Sequence, residues 1–214
     1  MEGLAITPDG RTLVGIMQAA LIQDAKLGGD AAKLLRIVTI DILSGHTRQY
    51  AYLLTTGSGV SEITAINNHE FLVDERDGKG LEGGDNSTSN KAKVKQLFKI
   101  DLSGAVDISS MDGTTAASNA VSKTPFLDLV SLLTANGIAA DHIPSKIEGI
   151  AFGPDVKQGA STLHTLWVSN DNDFLPVTED TPPIPNPNQF FVIGFTDADL
   201  PGFVPQQFHG IFGW

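Results

Sequence analysis

The chain contains no cysteine, which excludes disulfides, zinc sites built on thiolates and cysteine nucleophiles. Basic residues are also few: 14 lysines and arginines stand against 25 acidic residues, and the formal net charge is −11. Such a surface repels nucleic-acid phosphates and anionic membranes and favours cations. No apolar stretch approaches the roughly 20 residues of a membrane span. These absences predict a protein with no nucleic-acid partner and no membrane span.

Glycine and proline are abundant, with 22 and 11 copies, which suits a β protein rich in turns. Hydrophobic residues make up 41% of the 214 positions, enough for the core of one domain or a large part of one. The start has no signal-peptide pattern, because Met1 runs directly into a β-type segment. This abrupt start predicts a piece of a longer protein whose N-terminal part, including any export signal, is absent.

The strongest pattern is a phrase that occurs twice. Residues 2–9 read EGLAITPD, residues 148–155 read EGIAFGPD, and a weaker copy, EITAINNHE, begins at Glu62. Each copy places a glutamate before a short apolar strand, a turn and a second strand. Repeated hairpins build sheets around an axis. We therefore expect Glu2, Glu62 and Glu148 to converge on that axis and their strands to be the innermost ones.

Two further segments have a hairpin pattern, each with two strands around a Ser-Gly turn: residues 34–54 and residues 95–109. Joined to the glutamate-led hairpins, they give four-stranded units in series, which are propeller blades. The sequence therefore predicts an all-β fold, a β-propeller that forms a partial ring of about three four-stranded blades. This single domain, or fragment of one, would have blades at about 1–57, 58–110 and 146–214, with residues 188–195 as the third strand of the last blade.

Three segments interrupt the blades. Residues 74–93 are rich in glycine, aspartate and asparagine and predict a long exposed loop. The acidic, proline-rich residues 179–188 predict a second loop at the rim. Residues 124–140 predict an inserted helix that is capped by Thr124 and ended by Gly137.

Four motifs occur in a fixed order: the EG[LI]A[IF]xPD phrase, ERD at 75–77, the predicted helix ahead of KIEGIAF, and NDNDF at 170–174. Together they resemble the phytase-like β-propeller family, often called the family with esterase-like activity of phytase. The resemblance covers most of the chain, but only about the C-terminal part of a full family domain. It implies a secreted or periplasmic bacterial protein, a propeller with carboxylates near the central channel, and a hydrolase.

Residues 170–173, Asn-Asp-Asn-Asp, form a dense cluster of oxygen ligands at a strand end. Calcium takes six to eight such oxygens, whereas asparagine and aspartate also stabilise turns without binding anything. The glutamates have similar alternatives, because a buried carboxylate must be paired, hydrogen-bonded or metal-bound. The metal hypothesis predicts a divalent ion, calcium by preference, held by Glu2, Glu148, Asn170, Asp171 and Asp173.

Arg76 falls in register with Asp171 and Gln18 when the repeats are aligned. An arginine there could grip a phosphate or carboxylate with two hydrogen bonds, or it could form a structural ion pair within the channel. The catalytic candidates are Glu148, Asp171 and Arg76, with the metal polarising the substrate and activating water. A serine nucleophile is disfavoured, because the chain has no G-x-S-x-G elbow.

These residues and the resemblance predict a secreted phytase-like propeller hydrolase, extracellular or periplasmic, that cleaves a small-molecule phosphoester or carboxyl ester with help from a divalent metal. The alternative is a non-catalytic propeller module that binds a ligand or protein partner on its rim, since propellers host both. Three blades do not close a ring, and they leave exposed sheet edges and apolar faces. We therefore expect self-association or missing N-terminal blades.

Overall fold

The computed structural model of the chain describes residues 1–82, 90–159, 161–179 and 182–206. Its strands form three antiparallel sheets that follow one another along the chain. Blade 1 contains β1 (Gly3–Ile6), β2 (Thr12–Ile16), β3 (Leu34–Asp41) and β4 (Thr47–Leu53). Blade 2 contains β5 (Gly59–Ala65), β6 (Glu70–Arg76), β7 (Lys95–Asp101) and β8 (Lys123–Asp128). Blade 3 contains β9 (Ile147–Gln158), β10 (Ser161–Asn170) and β11 (Phe190–Phe195).

Helical segments are short and lie outside the sheets. They are α1 (Ile22–Ala25), a 3-10 helix (Gly29–Lys33), α2 (Gly113–Ala117) and α3 (Leu129–Ala135). Within the described residues no helix is long and apolar enough to cross a membrane. The predicted all-β, propeller-like fold is therefore confirmed, with the third blade built from three described strands.

The three glutamate-led strands lie side by side around a common groove. β1, β5 and β9 each form an edge of their sheet, and β5 contacts both of the others. Gly3 permits a close approach, since a Cβ atom there would lie 2.6 Å from the backbone nitrogen of Ile63. The prediction that these strands are innermost is confirmed. We call the end of the groove where β1, β5 and β9 begin the glutamate end, and the other the turn end.

The core lies between the blades. Side chains alternate across each strand, so one face of blade 1 meets blade 2, where Val14 and Ile37 pack with Ile63 and Phe71. The opposite face of blade 2 meets blade 3 through a second cluster that includes Leu72, Leu97, Ile150 and Leu166. Each blade is therefore held chiefly by apolar burial against its neighbour.

The predicted helix at 124–140 is wrong in its first half. Residues Lys123–Asp128 form β8, and α3 begins only at Leu129. Its N-cap is Asp128, whose Oδ1 accepts the Ser131 amide at 3.1 Å, and not Thr124. Pro125 lies in β8, the outermost strand of its sheet, where a missing amide hydrogen is tolerated. Gly137 does end the helix, with a φ of +88° just after it.

The predicted strand at 105–109 is also wrong. No strand follows the turn after β7 until β8, so blade 2 takes its fourth strand from beyond residue 110. Residues 74–76 belong to β6 rather than to a loop. Part of the predicted exposed loop is packed, since Ala92 is buried; residues 83–89 of that loop lie outside the described residues, as do 180 and 181 of the predicted rim loop.

Both outer faces of the three-blade unit expose apolar side chains. On blade 1, Leu4 and Ile6 alternate with the buried Ala5 and so face away from blade 2, at 56% and 38% exposure. On blade 3, Trp167 pairs in register with Val192 on the side away from blade 2. Adjoining apolar surface of this kind marks association sites.

The isolated chain is expected to self-associate through these faces. Sedimentation velocity measures this directly: wild type should show concentration-dependent species larger than a monomer. Replacing Val192 and the 67% exposed Phe190 by serine should shift the distribution toward monomer. The control Leu43→Ser removes an even more exposed apolar side chain from a hairpin tip, and it should change nothing. A wild-type chain that remains a monomer with cooperative melting would contradict the expectation.

Candidate functional site

The glutamate end of the groove brings charged residues of blades 2 and 3 together. Glu62 lies on the groove wall, where its Oε1 accepts the amides of Leu4 at 3.2 Å and Ile63 at 3.0 Å. Burial raises the pKa of this carboxyl group. Glu62 therefore ties blade 2 to blade 1 at the axis. Glu2, by contrast, is exposed, and its side chain makes no hydrogen bond or ion pair with the described residues.

An ion pair joins blade 2 to blade 3. The Arg76 guanidinium donates to Glu148 Oε1 from the last residue of β6 to the second residue of β9. Arg76 Nε also donates to the Ser61 hydroxyl on β5. The two charged side chains are 12% and 25% exposed, so the pair is shielded but still accessible to solvent. The structure thus brings together two of the three predicted catalytic residues.

Asp74 is the residue that the sequence analysis missed. Its side chain is fully buried, and neither carboxylate oxygen has a hydrogen-bond partner in the described part of the chain. Burial raises its pKa to about 7, with Lys95 and Arg76 opposing the rise and Glu62 and Glu148 adding to it. Asp74 pairs in register with Glu62 and lies two residues from Arg76 on the same strand. A carboxyl group that titrates near neutrality is suited to proton transfer.

A signal for Asp74 was present in the sequence. Positions 72, 74 and 76 share one face of β6, and Leu72 belongs to the core between blades 2 and 3. An aspartate in the second of these positions faces the same interior. We call Glu62, Asp74, Arg76 and Glu148 the interblade cluster.

The other two residues of the ERD string face elsewhere. Glu75 points to blade 1, where it accepts from the Tyr52 hydroxyl at 2.6 Å, and it also accepts from Lys123 of β8 in its own blade. Asp77 binds Lys95, whose fully buried ammonium donates to Asp77 Oδ1 at 2.8 Å and to the Ser145 carbonyl at 2.8 Å. Glu75 thereby links blade 2 to blade 1, and Lys95 links blade 2 to the segment that precedes blade 3. Of the string, only Arg76 reaches the cluster.

The far end of the groove is crossed by the chain that follows blade 3. Val204 donates its amide to the Ile66 carbonyl at 2.8 Å, and the Gln206 side chain donates to the Thr7 carbonyl at 3.3 Å. The groove has a volume of about 390 Å³ and mainly apolar walls, with Glu62 among its lining residues. Since the crossing segment lies at the turn end, the interblade cluster borders the end that it leaves open.

A family model described as Phytase-like: Esterase-like activity of phytase matches residues 1–174. The chain belongs to this family. No curated protein and no solved structure matches it. The match spans all strands of the phytase-like chain up to β10 and includes every member of the interblade cluster.

The Asn-Asp-Asn-Asp segment of the phytase-like chain uses its side chains in its own turn and in contacts with neighbouring segments. Asn170 Oδ1 accepts the Gln189 amide at 2.7 Å, and Asp171 Oδ1 accepts the Asp173 amide at 2.8 Å. Asp173 forms an ion pair with Lys146 at 2.5 Å. The pKa of Lys146 is raised, chiefly by its hydrogen bond to Asp173, with Glu148 and Asp171 contributing. This rim therefore lies close to the interblade cluster.

The donor set for calcium is incomplete in this arrangement. Within the described ranges, no three aspartate, glutamate or histidine side chains are grouped so that they could hold a metal ion. Glu2 stands apart, Glu148 is paired with Arg76, and Asp173 is paired with Lys146. Among the described residues, the unpartnered oxygens of Asp74 favour a bound cation or water. Calcium binding by the phytase-like chain therefore stays a prediction.

Proposed function

We propose that this phytase-like propeller hydrolyses a small anionic phosphoester or carboxyl ester at the glutamate end of the channel. The observation that carries the proposal is Asp74, a buried carboxyl group without a hydrogen-bond partner among the described residues, beside a partly exposed charged pair. Unsatisfied buried polar groups are rare in folded proteins and call for an explanation. Carboxyl groups with strongly raised pKa values cluster at functional sites.

The proposed roles follow from charge and exposure. Arg76 and Lys146 supply positive charge in a chain of net charge −11, so they would attract the anionic ester and Arg76 would stabilise the negative charge that develops on its oxygen. Glu148 would accept a proton from the attacking water as general base. Asp74, fully buried two residues before Arg76 on the same strand, would set the local charge, and Asp171 would orient water at the rim. No step depends on a metal.

The expected result is hydrolysis of p-nitrophenyl phosphate or p-nitrophenyl acetate by wild type and its loss in a general-base variant. Glu148→Gln should lower kcat by about 100-fold or more, while Arg76→Gln should also weaken binding. Asp30→Asn, an exposed acidic residue on the 3-10 helix, is the control and should leave both constants unchanged. A wild type that binds anionic esters without turnover would replace the hydrolase by the alternative, a binding module. The ion pair between Arg76 and Glu148 favours that alternative, because each charge neutralises the other and neither is then free to act in catalysis.

Calcium binding is tested by calorimetric titration of calcium into wild type, Glu148→Gln and Asp171→Asn. The prediction expects heat in wild type that both variants lose, since each removes a predicted ligand. It also expects a gain in unfolding free energy of roughly 3 kcal/mol at about a hundred times the dissociation constant. Equal heat in all three proteins, or none in wild type, would leave these carboxylates as structural groups.

We also propose an extracellular or periplasmic location, which rests on the family alone. Cell fractionation of the native host is the test: the protein should appear in the periplasmic or secreted fraction. Recovery with the cytoplasmic fraction would reject the proposal and would leave the hydrolase proposal untouched.

A further inference from the structure

A second cavity, far from the interblade cluster, opens between blades 1 and 2 at the turn end. It has a volume of about 430 Å³. We call it the outer cleft. Its floor is formed by Val14, Phe71 and Leu102, and its polar walls carry Thr39, Arg48 and Tyr50.

Strand register explains why the cleft is polar. On the face of blade 1 that meets blade 2, Ile37 lies between Ile16 and Tyr50 as their direct partner, and this row is buried. The next row toward the turn end places Thr39 opposite Arg48. The blade face therefore changes from apolar to polar along the strands. Blade 2 fills the apolar part and leaves the polar part open to solvent.

The donors in the outer cleft have no hydrogen-bond partner among the described residues. The Arg48 guanidinium, the His46 ring and the hydroxyls of Thr39 and Tyr50 make no hydrogen bond or ion pair with any residue that the structure describes. Tyr50 is 8% exposed and is among the residues that line the cleft. Arg36 and Arg76, in contrast, are both paired with carboxylates.

The acidic groups at the cleft are already engaged. Asp41 Oδ1 accepts the amide and hydroxyl of Ser44, at 2.7 and 2.6 Å. On the blade 2 side, His69 pairs with Asp101 at 2.9 Å. Asp107, whose charge also acts on Arg48, accepts the amides of Gln49 and Ser109. In a chain of net charge −11, the cleft thus combines a guanidinium that has no ion pair within the described residues with hydroxyl donors above an apolar floor. Guanidinium and hydroxyl groups together recognise oxyanions.

We propose that the outer cleft binds a small molecule with one oxyanion, a phosphate or a carboxylate, on a compact apolar body. The oxyanion would accept from Arg48, Thr39 and Tyr50, and the body would lie on Val14 and Phe71. A ligand in this position touches both blades, so it stabilises their packing. The inference is independent of the proposed hydrolytic function, because none of its residues belongs to the interblade cluster.

The test uses probes that cannot be hydrolysed. Phenylphosphonate and benzoate carry the two oxyanions on one aromatic body, and phenol carries the body alone. We expect one or both anions to give calorimetric heat and to raise Tm, and phenol to do neither. Arg48→Met should lower the affinity for the anion by at least about tenfold, because it removes one charged hydrogen-bonding partner. Tyr50→Phe and Thr39→Val should each weaken it by a few-fold. The anion that binds more tightly identifies the chemistry of the natural ligand.

Matched variants locate the probe. Arg11→Met removes another exposed arginine, and Arg76→Gln removes the arginine of the interblade cluster; neither should change the affinity. Four results would each overturn the proposal. Two concern variants: binding by Arg48→Met that equals wild type, or loss of binding in Arg76→Gln. Two concern probes: phenol binding as tight as that of the anions, or no binding at about 10 mM probe. Ester hydrolysis should be the same in Arg48→Met as in wild type. The proposals for the outer cleft and for the interblade cluster can therefore be rejected independently.

Discussion

Asp74→Asn is expected to flatten the dependence of stability on pH between about pH 4 and pH 8. The Asp74 carboxyl is fully buried without a partner, and burial raises its pKa from 3.8 to about 7. Because the folded-state pKa is raised, protonated Asp74 contributes stability that is fully present below pH 3.8. This contribution is lost as the pH rises through 7. A rise of about three units corresponds to about 4 kcal/mol. Wild type should lose up to that amount across the range, and the variant should not.

The measurement is urea unfolding at several pH values, with a chelator present, and the slope against pH is the quantity of interest. An asparagine amide at this position also lacks partners, so its cost is roughly the same at every pH and does not enter the slope. Asp30→Asn, on the surface, should keep the wild-type slope. Identical slopes for wild type and Asp74→Asn would show that Asp74 is ionised and paired in solution. If calcium occupies this position, adding it should remove the slope from wild type alone.

Local patterns were sufficient to predict the inner strands and most of the hairpins. The phrase at residues 2–9 combines alternating side chains with a Pro-Asp turn, and both are properties of a few neighbouring residues. Its repetition at Glu148 then implied a common axis, which the structure confirms. The third strand of blade 3 was found in the same way, as an apolar run ending at Phe195.

The fourth strand of blade 2 could not be read locally. The segment around Pro125 has the apolar spacing of a helix, and it becomes a strand because the edge of β7 is available for pairing. Tertiary context overrides propensity in such a case. Register decided the site as well. A bulge between Val60 and Glu62 places Glu62 opposite Asp74, and no single-strand pattern contains that information.

The Asn-Asp-Asn-Asp segment shows the limit of reading ligands from composition. Its oxygens are of the kind that calcium binds, but those of Asn170 and Asp171 accept backbone amides of nearby residues. The same side chains serve turns and metal sites. Which use prevails depends on whether other carboxylates approach, and that is a property of the assembled blades.

Glu75→Gln is expected to destabilise the fold by about 3 kcal/mol, because it leaves a shielded charge without its partner. Glu75 is fully buried and accepts from the Tyr52 hydroxyl, the Thr56 amide at 2.8 Å and the Lys123 ammonium. Lys123 is 12% exposed, and burial already lowers its pKa. Neutralising Glu75 removes the charge that holds this lysine in its ionised form.

Removing both charges should restore much of the loss. In Glu75→Gln/Lys123→Met no buried ion remains, and the methionine side chain keeps the apolar contacts that Lys123 makes beside the rings of Tyr52 and Phe98, each 4.4 Å from its ammonium. Urea unfolding at pH 7 gives the coupling energy of the pair. Lys146→Gln breaks the exposed pair with Asp173 and should cost at most about 1 kcal/mol. A loss in Glu75→Gln no larger than this control, or a double variant less stable than the single one, would show that this buried pair does not stabilise the fold.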